Sequence, residues 1–120
     1  MDRTVILNDL WSIDSGIKAP SGNFLKKKES LPVKSSSPFT VKRKVIMPKQ
    51  VNDKVWAGFS GEYKFYRFYA GKNLVHPETD EEGRTVFDIT PFLKTGITHI
   101  TAIFECGEVK EFFLTIKRIN

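Results

Sequence analysis

From residue 39 onward, apolar and polar side chains alternate along the chain with a period of two. In the first such run, Phe39, Val41 and Val45 alternate with Thr40 and lysines until the run stops at Pro48. Successive side chains of a β-strand point to opposite faces, so this pattern predicts strands with one buried face each. No stretch of helical length repeats every 3.6 residues. The sequence therefore predicts an all-β protein.

Turn-forming residues divide this region into six or more strands, a number and spacing typical of a β-sandwich or barrel, of which we favour the antiparallel sandwich. Ser60-Gly61 is predicted to close one strand, and Cys106-Gly107 to turn a C-terminal hairpin. One helical turn is predicted after Thr90, because Thr is favoured as a helix N-cap and Pro91 suits the first helical position. Gly96 is expected to end that turn.

The first 38 residues differ in composition from the rest, being rich in Ser and Pro. Residues 1–38 are interpreted as an N-terminal arm or extended loop that packs on the domain or on a neighbour, with Trp11 and Phe24 as apolar contacts. Residues 39–120 then form the sandwich. A stretch this long without regular structure usually serves function or docking.

Charge and cysteine content narrow the functional classes. The 120 residues fit one domain, and 19 Lys and Arg against 14 Asp and Glu give a net charge of +5. Cys106 is the only cysteine, so neither an intrachain disulfide nor a cysteine-based zinc site can form. Clustered lysines in the first half can face an acidic partner or serve only solubility. The predicted basic patch comprises Lys26, Lys27, Lys28, Lys42 and Lys44.

Four blocks of sequence carry a resemblance to a known fold family. They are RKVIMP at residues 43–48, VWAGFSG at 55–61, the turn YAGK at 69–72 and FDITPFLKTGIT at 87–98. This order resembles the galactose-binding-like jelly roll, in particular the sugar-binding domain of β-galactosidases and β-glucuronidases. The resemblance implies a jelly-roll sandwich in which Asp88 and Thr90 hydrogen-bond the turn that follows. The chain departs from the family at Ala70 and Thr98, where asparagine is usual; this affects turn chemistry more than the fold.

The segment 63–70 has aromatic side chains on both predicted faces of its strand. Tyr66 and Phe68 are assigned to one face and the remaining rings, with an arginine, to the other. Only one face of a sandwich strand points into the core, so the other is either covered by the arm or kept for a partner. Aromatic rings stack on sugars and anchor protein interfaces. The candidate partner-binding residues are Trp11, Phe24, Tyr63, Phe65, Arg67 and Tyr69.

Catalytic and metal-binding chemistry find little support in the sequence. Residues 58–62 (GFSGE) lack the last glycine of a nucleophile elbow, and His76 and His99 do not have ligand spacing. The sequence contains no candidate acid/base pair or Gly-rich phosphate loop. We therefore expect no enzymatic activity, no cofactor and no metal site, although a structural calcium at the acidic residues 78–83 stays open.

Three functional hypotheses remain. The first ten residues lack the apolar run of a signal peptide, and no segment is apolar enough to span a membrane, which predicts synthesis in the cytoplasm. The first hypothesis is a structural accessory subunit of a larger protein assembly, such as a phage or viral particle. A carbohydrate-binding module is the alternative. Nucleic-acid binding through the basic N-terminal half ranks last, because the charge is modest and Lys-rich.

Overall fold

A computed structural model describes residues 2–22, 27–46, 53–93 and 97–118, and these residues are almost entirely extended. The described part of the chain has no helix that is long and apolar enough to cross a membrane. Its strands are β1 (Asp2–Ile6), β2 (Ser12–Ser15), β3 (Val33–Ser35), β4 (Phe39–Ile46), β5 (Asp53–Ala70), β6 (Asn73–Leu74), β7 (Glu78–Thr79), β8 (Thr85–Asp88) and β9 (Ile97–Arg118).

Two long strands, β5 and β9, organise the fold. They pair antiparallel from Asp53↔Arg118 to Ala70↔Ile100. On its other side β9 pairs with β4, β3 and β1, whereas β8 and β6 pair with β5. The sheet cannot be flat. The rings of Phe59 and Phe68 lie 6.4 Å apart, although residues 59 and 68 of a straight strand would be about 30 Å apart.

The single antiparallel sheet therefore folds back on itself into two layers, which confirms the predicted all-β sandwich. The first layer contains β2, β4, β6, the first half of β9 and the second half of β5. The second layer contains β1, β7, β8 and the remaining halves of β5 and β9. Rings from the two layers meet between them: Phe68 stacks on Phe87 at 4.1 Å.

The predicted turns at Ser60-Gly61 and Cys106-Gly107 are wrong, because both lie inside continuous strands. The β5–β9 register shifts between Ser60 and Gly61, and again on either side of Phe65. Gly61 and Gly107 have positive φ angles of 139° and 114°. A side chain at Gly107 would come within 3.0 Å of the backbone of Glu62 and Tyr63. Glycine at these positions thus bends strands instead of ending them.

A β-bulge also changes which aromatic side chains of β5 point inward. The register steps from Phe65↔Phe104 to Arg67↔Ile103, which leaves Tyr66 as an extra residue. One extra residue reverses the alternation, so Tyr63, Phe65 and Phe68 all face the core. The ring of Tyr63 packs 4.9 Å from Phe104. The predicted placement of Tyr63 and Phe65 on the outer face is therefore wrong.

The N-terminal segment is part of the sandwich in its described residues. It supplies β1, β2 and β3 and places Trp11, which is 0% exposed, in the core. The Trp11 ring packs 5.1 Å from Phe112 and 5.8 Å from Phe59. Its indole Nε1–H donates to the carbonyl of Leu7 at 2.9 Å. The only polar atom of this side chain is thereby satisfied, so burial of the ring carries no unpaired donor.

The predicted helical turn is present as a short 3-10 turn over Thr90–Phe92. Asp88 Oδ1 accepts a hydrogen bond from the Thr90 N–H at 3.0 Å, as the family resemblance implied. Thr90 does not cap the turn. Its hydroxyl instead accepts from the backbone N–H of Val55 at 2.8 Å, which ties the turn to β5. The predicted end at Gly96 lies outside the described residues.

Candidate functional sites on the two outer faces

A cleft of about 350 Å³ lies on the outer face of the second layer. Trp56 belongs to this face because its neighbours Val55 and Ala57 point into the core. Across the sheet, Trp56 is paired with Thr115 of β9 and with Asp88 of β8. The cleft is lined by Trp56, Val86, Thr115 and Lys117 of the sheet and by Glu78, Thr79, Asp80, Glu81, Glu82 and Arg84 of the β7–β8 hairpin.

The β7–β8 hairpin loop forms one wall of the cleft, and Asp80 organises it. Asp80 Oδ1 accepts hydrogen bonds from the backbone N–H groups of Glu82 at 2.9 Å and Arg84 at 2.8 Å. Arg84 Nε lies 2.8 Å from Asp80 Oδ2 and 3.1 Å from Glu82 Oε2. The Arg84 guanidinium stacks 4.6 Å from the buried Phe113 ring. The loop is therefore anchored to the sheet through Arg84.

These contacts set the charge of Asp80. Desolvation tends to raise its pKa, but the hydrogen bonds from Arg84 and Glu82 and the charge of Arg84 outweigh it, so the pKa is lowered from its usual value. The carboxylate is thus ionised at neutral pH and serves as an acceptor. Such a carboxylate can orient ligand hydroxyls, but it cannot act as a general acid near neutral pH.

The cleft combines one large ring with several polar groups. Lys54 Nζ lies 5.5 Å from the Trp56 ring centroid, which holds a cation next to the indole. Thr115 Oγ1 is buried and has no hydrogen-bond partner among the described residues. Ligand sites typically have volumes of about 300–1,000 Å³ and combine an apolar surface with a few convergent polar groups. The arrangement fits a compact ligand with one apolar face and several hydroxyl groups.

The predicted site residues are divided between the core and the outer faces. Trp11, Tyr63 and Phe65 pack in the core, as described above, whereas Arg67 is exposed and Tyr69 half-buried on the outer face of the first layer. Of the predicted basic patch, Lys27 is exposed near the start of a described segment. Phe24 and Lys26 lie outside the described residues.

The other lysines of the predicted patch converge on the first layer. Lys42 and Lys44 point outward from β4, and Lys44 is paired with His99 of β9. Lys28 reaches the same face, where its Nζ donates to Ser12 Oγ at 3.1 Å. Desolvation and the positive charges of Lys42, Lys44 and Lys28 lower the pKa of His99 from its usual value. This basic face is defined by Lys28, Lys42, Lys44, Arg67, Tyr69 and His99.

The lowered pKa of His99 predicts a pH-dependent stability. Between the pKa of His99 in the folded protein and about 6.5, the unfolded chain binds more protons than the folded one. The free energy of unfolding should therefore fall as the pH drops below about 6.5 and level off below the folded pKa. Urea denaturation between pH 5 and 8 measures this dependence. His99→Gln should reduce this dependence; an equal slope in wild type and His99→Gln would contradict the prediction.

Metal binding finds no support in the described part of the chain. Its His, Cys, Asp and Glu residues do not form a group of three or more that could hold an ion. In the acidic loop, the Asp80 carboxylate is already bonded to Arg84 and to backbone N–H groups. Cys106 is a half-buried free thiol.

Sequence reasoning missed Trp56, Arg84, Thr115 and Lys117 as site residues. One signal was present for Trp56: the alternation through Val55 and Ala57 already places its ring on the outer face. The other three join it only through strand pairing and the fold of the β7–β8 loop.

Comparison with known proteins identifies the fold but no family. Searches found no matching family model and no matching curated protein. Among solved structures, the β-glucuronidase of Ruminococcus gnavus matches with a TM-score of 0.64 at 13% sequence identity. The match covers 96% of this chain but 28% of the β-glucuronidase. At this identity the likeness shows the β-sandwich fold alone, and it extends well beyond the blocks of sequence that carried the resemblance.

Proposed function

We propose that this chain is a non-catalytic carbohydrate-binding domain whose site is the Trp56 cleft. The observation that carries the proposal is the half-buried Trp56 indole in a concave site of about 350 Å³. An indole presents a broad apolar surface on which the C–H face of a sugar ring can stack. Carboxylates and cations at its margin, such as Asp80, Arg84 and Lys117, hydrogen-bond hydroxyl groups.

The rigidity of the β7–β8 loop, which forms one wall of the cleft, also supports carbohydrate binding. Asp80 fixes the loop backbone and Arg84 anchors it on Phe113, so the polar groups are positioned before a ligand arrives. Preorganised polar groups reduce the entropic cost of binding. The fold likeness to part of a β-glucuronidase is consistent with a carbohydrate ligand.

A non-catalytic role agrees with the positions of the acidic side chains in the cleft. The carboxylates that line the cleft, Glu78, Asp80, Glu81 and Glu82, all belong to one hairpin and stand on the same side of the site. Glycoside hydrolysis usually needs two carboxyl groups that flank the scissile bond, one of them protonated. The lowered pKa of Asp80 removes it as the acid.

Loss of the Trp56 ring is expected to weaken sugar binding strongly while leaving the fold intact. A glycan array probed with the purified protein at physiological salt should identify one class of sugar. Trp56→Ala should then weaken affinity for that sugar about tenfold or more, because the stacking surface is lost. Titration calorimetry measures the affinity, and thermal unfolding checks the fold.

Tyr66→Ala is the matched control, because Tyr66 is an exposed aromatic residue (41% exposed) on the other half of β5. It should keep full affinity. Binding that survives Trp56→Ala, or that is lost equally in Tyr66→Ala, would contradict the assignment of the site.

An accessory role in a protein assembly, such as a phage or viral particle, is the second candidate. It is favoured by Ile46 and Ile97, which pair across β4 and β9 and are 64% and 49% exposed. Exposed apolar residues side by side are typical of surfaces that bind other proteins. A blank glycan array from a folded sample would favour this candidate over the carbohydrate-binding one.

A further inference from the structure

The basic face concentrates positive charge on one side of the sandwich. Lys42 and Lys44 are two positions apart on β4, so both point outward with their Cα atoms about 6.7 Å apart. His99 lies directly across from Lys44, and its electrostatic environment includes Lys42 and Lys28 as well. Lysines that are separate in the sequence therefore act on one surface.

Three of the cations on this face, Lys28, Lys44 and Arg67, are not paired with acidic side chains in the described part of the chain. Asp14, on the neighbouring strand β2, forms an ion pair with Lys18. The acidic residues 78–82 line the cleft, which is on the outer face of the opposite layer. The face thus presents a positive field suited to a polyanion.

Two planar side chains, Tyr69 and His99, lie on the basic face beside the cations. Tyr69 of β5 lies across the sheet from Thr101, one outward position along β9 from His99. The side chains of Tyr69 and Tyr66 raise the pKa of Arg67, and the Arg67 guanidinium stacks 5.1 Å from the Tyr66 ring. Proteins that bind single strands combine a cationic surface with rings on which bases stack.

We propose that the basic face binds single-stranded nucleic acid without base specificity. Lys28, Lys42, Lys44 and Arg67 would contact phosphates, and Tyr69 and His99 would stack on bases. Contacts from these side chains to phosphates carry no sequence information, so we expect binding without sequence preference. Because this face and the Trp56 cleft are on opposite layers, the proposal is independent of the carbohydrate-binding function.

Fluorescence anisotropy with fluorescein-labelled oligothymidylate tests the proposal. Lys42→Gln/Lys44→Gln should weaken binding about tenfold or more and reduce the slope of log affinity against log salt by about 1.4, as expected for two lost phosphate contacts. Lys34→Gln/Lys110→Gln removes the same charge from exposed positions on β3 and on the distal half of β9, and it should have a small effect.

The ring of Tyr69 distinguishes nucleic acid from other polyanions. Tyr69→Ala should weaken binding of oligothymidylate about fivefold or more, whereas Tyr69→Phe keeps the ring and most of the affinity. Polyglutamate and dextran sulfate serve as polyanions without bases and should bind more weakly than oligothymidylate. Equal binding of all three polymers, no effect of Tyr69→Ala, or equal losses in the two lysine double variants would overturn the proposal.

Discussion

Replacing Trp11 with Ala is expected to lower the free energy of unfolding by about 3–5 kcal/mol. The Trp11 side chain is fully buried and packs against Phe59 and Phe112. Its removal leaves a large cavity and deprives the Leu7 carbonyl of the indole donor. Urea denaturation followed by circular dichroism measures the change.

Ile17→Ala is a suitable control, since Ile17 lies in the same N-terminal segment but is 56% exposed. Its unfolding free energy should stay within about 0.5 kcal/mol of wild type. A Trp11→Ala protein that is as stable as Ile17→Ala would show that the N-terminal segment rests on the surface and does not complete the core.

Replacing Gly107 with Ala is the second change expected to be severely destabilising, by roughly 3–5 kcal/mol. The φ angle of 114° is in a region that side chains rarely adopt. In addition, the new Cβ would press on the backbone of Glu62 and Tyr63 at the bend of both long strands. The two layers depend on that bend, so relaxing the strain would disturb their packing.

Gly71→Ala separates the effect of the positive φ angle from the effect of the Cβ pressing on neighbouring backbone. Gly71 also has a positive φ angle, 61°, but a Cβ there has no neighbour within 4 Å. Gly71→Ala should lower the free energy of unfolding by only about 1–2 kcal/mol, the penalty for a left-handed conformation. The same denaturation experiment compares the variants, and equal losses at Gly71 and Gly107 would contradict the role of Gly107 in the bend.

The fold class could be predicted because alternation is a local property of the sequence. Phe39, Val41 and Val45 are buried as their spacing indicates. The course of β5 and β9 could not be predicted, because Gly61 and Gly107 look the same in sequence whether they end a strand or bend it. The bulge at Tyr66 could not be predicted either, because a bulge depends on the register of the partner strand.

For the candidate sites as well, local alternation could be predicted from the sequence and contacts between distant segments could not. The outward position of Trp56 can be inferred from its neighbours in sequence, whereas the enclosure of its ring requires the β7–β8 loop to fold against the sheet. Likewise, Lys44 and His99 become neighbours only through the pairing of β4 with β9. Tyr63 and Tyr69 were grouped in the sequence-based prediction, and the bulge at Tyr66 puts them on opposite faces.

The central claim, that a sugar binds at Trp56, can be tested directly by NMR. The chain has two tryptophans, and their indole N–H signals report on the cleft and on the core separately. On titration with the oligosaccharide that binds best on the array, the Trp56 signal should shift while the Trp11 signal, from a fully buried ring, stays in place. A sugar that binds without moving the Trp56 signal would show that the cleft is not the carbohydrate site.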